Sequence, residues 1–334
     1  MTRWWSRTDL LMAGALFVVA VAVASWYVPY FMRAGGKPWF YQDEFGPAVA
    51  EACGLGFINL DTGANPELRA FLAREQDQIS CEQVSAARPL PLRSMQTAFR
   101  YLMLTVGTTW RVEGRVSWSG LVPLYALLYG VTVVLAYAIF RQGMRPAIAA
   151  GAGLAIAVST LHLNNLPHLR DYGKAPFVLA LVLVALRALQ GQATARRTLS
   201  LAAIAGVVSG VGIGFRNDLL VAVPALAATF AFFLPIPLTR QFGLRLAAVA
   251  LYLGLTAGAM IPMWSIYRTG GGNSSQHLVL LGLADEFTAE LGLDNSRLYR
   301  WIFDYRDELA QVMISDYAER RLDATHMLAM YGAE

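Results

Sequence analysis

Long apolar stretches separated by short charged segments restrict the fold of this chain more than any other feature of its sequence. A helix needs about 20 consecutive apolar residues to cross the hydrocarbon core of a bilayer. Seven segments without charged residues approach or exceed that length. The fourth is long enough only if it continues past Arg187, whose aliphatic stem can extend the charged group to the membrane interface. The sequence therefore predicts an all-α polytopic membrane protein with about seven transmembrane helices, at residues 10–32, 116–140, 146–169, 175–186, 198–215, 219–239 and 246–267.

Composition agrees with a membrane protein and argues against several other classes. Hydrophobic residues make up 56% of the chain and charged residues 15%, whereas soluble domains carry roughly 25% charged residues. The formal net charge of +4 is small and no basic run is interleaved with aromatic residues, so we expect no nucleic-acid partner. These values disfavour a soluble enzyme and a disordered chain. They predict that the chain is embedded in a lipid bilayer.

The positions of the arginines predict the orientation, because cytoplasmic loops carry an excess of Lys and Arg. With the N-terminus inside, the cytoplasmic segments contain a single acidic residue, Asp9, and nearly all other acidic residues lie outside. We therefore expect a multi-pass protein of the inner (cytoplasmic) membrane, with a cytoplasmic N-terminus and a periplasmic C-terminus. The arginines on the cytoplasmic side are Arg3, Arg7, Arg141, Arg145, Arg187, Arg196, Arg197, Arg240 and Arg245.

This topology places most of the soluble mass on the outer side. A long first loop at 33–115 is expected to contain interfacial helices, including an amphipathic one at 94–106. Residues 1–270 form the predicted transmembrane core, and residues 271–334 form an outer-face helical C-terminal segment.

The two cysteines, Cys53 and Cys81, both fall in this outer loop. In a bacterial periplasm such a pair normally oxidises, so we expect a disulfide that joins the helix after Asp43 to the far part of the loop. The alternative is two buried free thiols, since cysteine also packs as a small hydrophobic residue.

Three polar clusters are not explained by the bilayer, and the first is the acidic pair Asp43 and Glu44. Adjacent carboxylates near a membrane surface are energetically unfavourable unless they are solvated, paired with cations or part of a functional site. They can act as a general base, or as ligands of a divalent metal ion, the one cofactor the sequence suggests. They can also form a solvated turn before a helix whose dipole favours Glu44.

The second and third clusters lie in later outer connections, at 162–174 and 214–218. Three cations, Arg170, Lys174 and Arg216, can hold an anionic lipid phosphate. The alternative is that these charges pair with one another or meet lipid headgroups. Three further polar residues are candidates for a supporting role: Asp171, His168 and Asp218.

The order of these motifs resembles the integral-membrane GT-C glycosyltransferases, and within them the protein O-mannosyltransferase and aminoarabinose transferase branch. The resemblance covers about residues 8–270. The Phe-Gly-Pro that follows the acidic pair departs from the family pattern, and seven spans are fewer than many relatives have. The motifs that carry the resemblance are the acidic pair within 42–51, the segment 110–115 before the second helix, the basic turn 141–145 and Arg170-Asp171 before the fourth helix.

The resemblance implies transfer of a sugar from a polyprenyl-phosphate-linked donor to a glycan, lipid or protein acceptor on the outer face. In that reaction Asp43 would activate the acceptor hydroxyl, and Glu44 would support it or help to bind a divalent ion. Arg170, Lys174 and Arg216 would hold the donor phosphate.

The competing class is non-enzymatic, either a transporter or a structural subunit of a cell-envelope complex. Transporters usually show paired repeats or broken helices near the middle of the membrane. Here the charged residues lie at the helix ends, with Arg187 as the exception. This distribution favours an enzyme that works at the interface.

Overall fold

The computed structural model describes residues 5–36, 42–190, 194–235 and 241–265, with residues 42 and 43 described by their backbone alone. The predicted C-terminal segment 271–334 lies outside these residues. The helices are α1 (Arg7–Arg33), α2 (Gly46–Ala52), α3 (Pro66–Leu72), α4 (Cys81–Ser85), α5 (Ser94–Ala98), α6 (Arg100–Glu113), α7 (Val122–Phe140), α8 (Pro146–Ala157), α9 (Thr160–Asn165), α10 (Leu169–Tyr172), α11 (Ala175–Leu189), α12 (Ala195–Ile213), α13 (Ala222–Ala228) and α14 (Phe242–Met260). Single 3-10 turns lie at Gln42–Phe45, Ser119–Leu121, Asn217–Val221 and Ile261–Met263, and a π-helical turn at Thr229–Phe233.

The chain is a mostly helical, multi-pass membrane protein, as its sequence predicts. Within the described residues, five helical segments are long and apolar enough to cross a bilayer: Arg7–Arg33, Ser119–Phe140, Leu169–Leu189, Ala195–Ile213 and Phe242–Met263. The third and sixth predicted spans contain only the shorter apolar helices Pro146–Ala157 and Asn217–Phe233. The count of seven spans therefore stays a prediction.

Side chains satisfy the backbone where these two shorter segments are interrupted. The Tyr129 hydroxyl lies 3.0 Å from the carbonyl oxygens of both Ile156 and Ala157, at the end of α8. The Arg245 guanidinium donates to the carbonyls of Ala231 and Leu234, at 2.8 and 3.1 Å. A broken helix at membrane depth needs such partners, because no water is there to bind its free carbonyls.

Helices α12 and α14 pack closely because small residues lie between them. A Cβ on Gly206 would lie 2.7 Å from the carbonyl oxygen of Tyr252, and one on Gly210 would lie 2.5 Å from Cβ of Ala259. Glycines spaced four residues apart let two membrane helices approach at backbone distance. Any larger residue at either position would force the two helices apart.

A partly buried ion pair joins α1 to the end of α7 at the arginine-rich side of the membrane helices. Asp9 is buried, and its Oδ1 lies 2.6 Å from Nε of Arg141 and 2.9 Å from the Tyr137 hydroxyl, which donates to it. Ser6 caps the start of α1 and also donates to this carboxylate. The acidic residue that stands alone in the predicted cytoplasmic segments is therefore neutralised inside the bundle.

The long first loop folds into a small unit of short helices and strands, on what we call the loop side of the bundle. Two-residue strands pair antiparallel in two sheets, which the sequence pattern did not predict. The centre of this unit contains Phe71 and Trp118, whose rings stack with centroids 5.1 Å apart. The Trp110 ring lies edge-on to Trp118, with centroids 5.6 Å apart. The strands are β1 (Asn59–Leu60) with β3 (Pro89–Leu90), and β2 (Gln78–Ile79) with β4 (Val116–Ser117).

Two further details of this loop differ from or extend the sequence expectation. The predicted interfacial helix at 94–106 is two helices, α5 and α6, which meet at Phe99. Cys53 and Cys81 form a disulfide with Cα atoms 5.3 Å apart, so neither is a free thiol. The bond ties the end of α2 to the first residue of α4, and thereby holds the helix that follows the acidic pair.

Candidate functional site

The acidic pair lies in the 3-10 turn Gln42–Phe45, directly before α2. The side chain of Asp43 lies outside the described part of the structure. Glu44 is only 8% exposed, and its Oε1 lies 3.3 Å from Nη1 of Arg93. Glu44 is therefore a buried, ion-paired residue, and the solvated turn considered from the sequence does not describe it.

Helix α5 holds this turn in place through a buried amide. Gln96 has no exposed surface, and its Nε2 donates to Oδ1 of Asn59 at 2.8 Å and to the backbone carbonyl of Glu44 at 3.4 Å. The side chain of Gln96 also accepts from the backbone N–H of Arg93, the residue that caps the start of α5. One short helix thus binds both the side chain and the backbone of Glu44.

The charges of the second and third clusters meet in one network, which we call the paired-charge cluster: Arg170, Asp171, Lys174, Arg216 and Asp218. Arg216 forms ion pairs with Asp171 and, through Nε at 3.4 Å, with Asp218. Lys174 pairs with Asp218, and Nε of Arg170 lies 3.7 Å from Asp171. The two connections, far apart in sequence, are therefore joined by opposite charges.

Of the alternatives left open by the sequence, the pairing of charges is observed, because Asp171 and Asp218 together contact all three cations. Binding of a lipid phosphate by these cations stays a prediction. The cations are not sealed off, since the side chains of Arg170, Arg216 and Lys174 are 15%, 20% and 34% exposed. His168 contributes its backbone carbonyl, which accepts from Asp171 and Tyr172 at the start of α10.

All three polar clusters contact α5 or the junction where it meets α6. Glu44 contacts Arg93, just before α5, and Gln96 within it. The Arg170 guanidinium lies over the Phe99 ring, 5.5 Å from its centre. The backbone N–H groups of Tyr101 and Leu102 donate to the Gly214 carbonyl at 3.1 and 3.2 Å. The structure thus brings together the segments that carry the predicted catalytic and phosphate-binding residues.

An open groove of about 540 Å³ runs beside this junction, between α6, α7 and α12. Its lining is mostly apolar and includes Leu124, Val211 and Phe215. Thr105 and Thr109 also line it, but their hydroxyls donate to carbonyls one turn back in α6, at 2.7 and 2.8 Å. Phe215 directly precedes Arg216 of the paired-charge cluster, but no residue of that cluster is part of the groove lining.

No family model, curated protein or solved structure matches this chain. The resemblance to GT-C glycosyltransferases therefore rests on the order and spacing of the chain's own motifs.

The described residues do not form a metal centre. Across 5–36, 42–190, 194–235 and 241–265, no group of three or more His, Cys, Asp or Glu side chains could hold an ion. Of the suggested ligands, the side chain of Asp43 lies outside these residues and Glu44 pairs with Arg93. The divalent ion stays a prediction that no described geometry supports.

Several residues of the site were not predicted from the sequence. Arg93, Gln96 and Phe99 connect the clusters, yet each stands among ordinary loop and helix residues. A single arginine or glutamine gives no spacing signal, because its role depends on which distant segment packs against it. The boundary at Phe99 had no signal either, since the apolar stripe of 94–106 continues across it.

Proposed function

We propose that this protein is a membrane glycosyltransferase that moves a sugar from a polyprenyl-phosphate-linked donor to an acceptor at the outer, periplasmic face of the inner membrane. The acceptor is a hydroxyl of a glycan, a lipid or a protein. The observation that carries the proposal is that the acidic turn contacts α5 and two basic connections contact the adjoining α5–α6 junction, on the loop side. Transfer from a lipid phosphate needs a base and an anion site within reach of one another.

The groove beside the junction also supports a lipid-linked donor. It is open and mostly apolar, and its lining includes Phe215, the residue before Arg216. An isoprenoid chain in the groove could then extend its phosphate toward Arg216 and the other cations of that cluster. An amphipathic donor would need an apolar surface and a cationic surface in this order.

The residues would divide the chemistry among them. Asp43 would take the proton of the acceptor hydroxyl, since a neutral hydroxyl is a poor nucleophile. Glu44, held by Arg93, would fix the turn that carries Asp43. Arg170, Lys174 and Arg216 would bind the donor phosphate, while Asp171 and Asp218 would hold all three in position before the donor arrives.

One observation favours the alternative, a transporter or a structural subunit of a cell-envelope complex. Every cation of the paired-charge cluster lies within 4 Å of an aspartate, and such a network can simply join two connections. In that case the cluster would stabilise the fold, and its loss would not affect any transfer reaction.

The test is transfer by the purified protein in proteoliposomes that contain a polyprenyl-phosphate-linked sugar and a mixture of acceptors. Asp43→Asn should lower the rate by about 10² to 10⁴, the usual contribution of a general base. Glu82→Gln is the control, because Glu82 is an exposed carboxylate of the same loop. Unchanged transfer in Asp43→Asn would remove Asp43 from the mechanism, and no transfer by the wild type with any donor sugar would favour the alternative.

A further inference from the structure

Arg74 adopts a backbone conformation that costs energy for any residue other than glycine. Its φ of +58° is the single positive value among the non-glycine residues that the structure describes. It follows α3 in a turn where the N–H of Glu75 donates to the carbonyl of Ala70 and the N–H of Arg74 to that of Phe71. This hydrogen-bond pattern ends helices with glycine at the left-handed position. Glycine here would relieve strain.

The side chain of Arg74 adds a second cost. Its Nη1 atom is buried and makes no hydrogen bond to any part of the chain that the structure describes. Burial also lowers the pKa of Arg74 from its usual value, because it removes water from the guanidinium. The partial compensation is a cation–π contact, with the guanidinium carbon 4.9 Å from the centre of the Trp118 ring.

Arg74 lies between the elements of the proposed site. The ring of Trp118 also contacts Phe45, the neighbour of Glu44, at 5.8 Å. Tyr125 and the carboxylate-bearing Asp77 both lie near Arg74. Tyr125 directs its hydroxyl to the carbonyl of Pro167 at 3.4 Å, just before the paired-charge cluster. Arg74 therefore combines backbone strain with a partly desolvated charge, and both raise the energy of the folded state. Local strain of this kind is concentrated at ligand sites.

We propose that Arg74 is an anion-binding residue of the loop-side site, where its guanidinium donates to an oxygen of a phosphate group. Arginine suits this task because its planar fork can offer two N–H groups to one phosphate. The identity of the ligand as a donor phosphate rests on the proposed function. The phosphate could belong to a lipid headgroup or to a soluble molecule.

The experiment measures binding by the purified full-length protein, with no transfer step. The two probes are phosphatidylcholine nanodiscs with and without a polyprenyl phosphate, and inorganic pyrophosphate in solution. Arg74→Gly keeps the backbone turn and removes the cation, and Arg74→Gln keeps a side chain against Trp118 without the charge. Arg88→Ala is the control, because Arg88 is an exposed arginine of the same loop.

Both Arg74 variants should bind about tenfold to hundredfold more weakly, the loss expected for one hydrogen bond to a charged group. A loss for the nanodiscs alone identifies a lipid phosphate, and an equal loss for pyrophosphate identifies a soluble one. The proposal would be overturned if a folded Arg74 variant bound with wild-type affinity, or if Arg88→Ala lost as much affinity. It would also be overturned if the wild type bound neither probe, or if both Arg74 variants unfolded. Binding that depends on Arg74 in a protein without transfer activity would disprove the proposed function and leave this inference intact.

Discussion

At the scale of single residues, Asp171 and Asp218 determine how much positive charge the loop side offers to an anion. Each pairs with Arg216, and they also contact Arg170 and Lys174 respectively. Under the proposed function, a donor phosphate would compete with the carboxylates that already hold the cations. Binding would then exchange these partners, and the carboxylates would keep the cations oriented when no ligand is present.

This arrangement predicts a measurable coupling between Arg216 and Asp171. Arg216→Gln should lower the free energy of unfolding by about 1.5 kcal/mol, the low end for hydrogen bonds to charged groups, because about a third of each aspartate side chain is exposed. The double variant Arg216→Gln/Asp171→Asn should lose less than the two single losses combined. Thermal unfolding of the purified proteins in detergent measures all four, and strictly additive losses would contradict the pairing.

The residue scale also shows which residues sequence reasoning can select as candidates. Arg170, Lys174 and Arg216 were selected because charged residues in short connections between apolar spans need a partner or a purpose. The same reasoning did not select Arg74, whose surroundings in the sequence are an ordinary charged loop. Its positive φ and its position over Trp118 arise from the end of α3 and from a residue 44 positions later, which no local pattern reveals.

At the scale of elements, the disulfide determines how firmly the acidic turn is held. The turn Gln42–Phe45 leads directly into α2, and Cys53 at the end of α2 is bonded to Cys81 at the start of α4. Gln96 holds the other side of the turn from α5. The turn is therefore held both by a covalent bond and by buried hydrogen bonds.

Removal of the disulfide should loosen this unit. Cys53→Ser/Cys81→Ser should lose about 3–4 kcal/mol of stability, the chain-entropy value for a loop closed over 28 residues. Thermal unfolding and limited proteolysis of the 42–117 region would measure the loss. Dithiothreitol should reproduce it in the wild type and have no effect on the double variant. A wild type that is insensitive to the reductant, with unchanged proteolysis, would show that the bond does not stabilise the loop.

At the scale of the whole molecule, the predicted orientation follows from the uneven distribution of arginine across the membrane. The arginine-rich side contains the partly buried Asp9–Arg141 pair, and the opposite side holds the loop with the disulfide and the candidate site. A periplasmic location of the loop side would explain both the oxidised cysteines and the access of an acceptor.

Thiol labelling in intact cells tests this orientation. Gly143→Cys adds an exposed thiol in the turn after α7, where a Cβ meets no atom within 4 Å, and Arg88→Cys adds one in the loop. A membrane-impermeant maleimide should label Arg88→Cys and should label Gly143→Cys only after the membrane is opened. The native cysteines, already bonded to each other, form the unlabelled background. The reverse labelling pattern would invert the topology and place the site in the cytoplasm.

The sequence by itself determined that the chain is a helical membrane protein, because apolar length alone decides whether a segment can leave water. It also located the acidic turn, the basic connections and the cysteine pair. Charged residues next to an apolar span, and cysteines in a long loop, can be recognised from the local sequence without knowledge of distant segments. Only the tertiary structure decided that Glu44 is buried against Arg93, that the cations pair with Asp171 and Asp218, and that Arg74 meets Trp118. Each of these contacts joins segments distant in sequence, and their energies depend on a burial that arises only when the helices and the loop pack together.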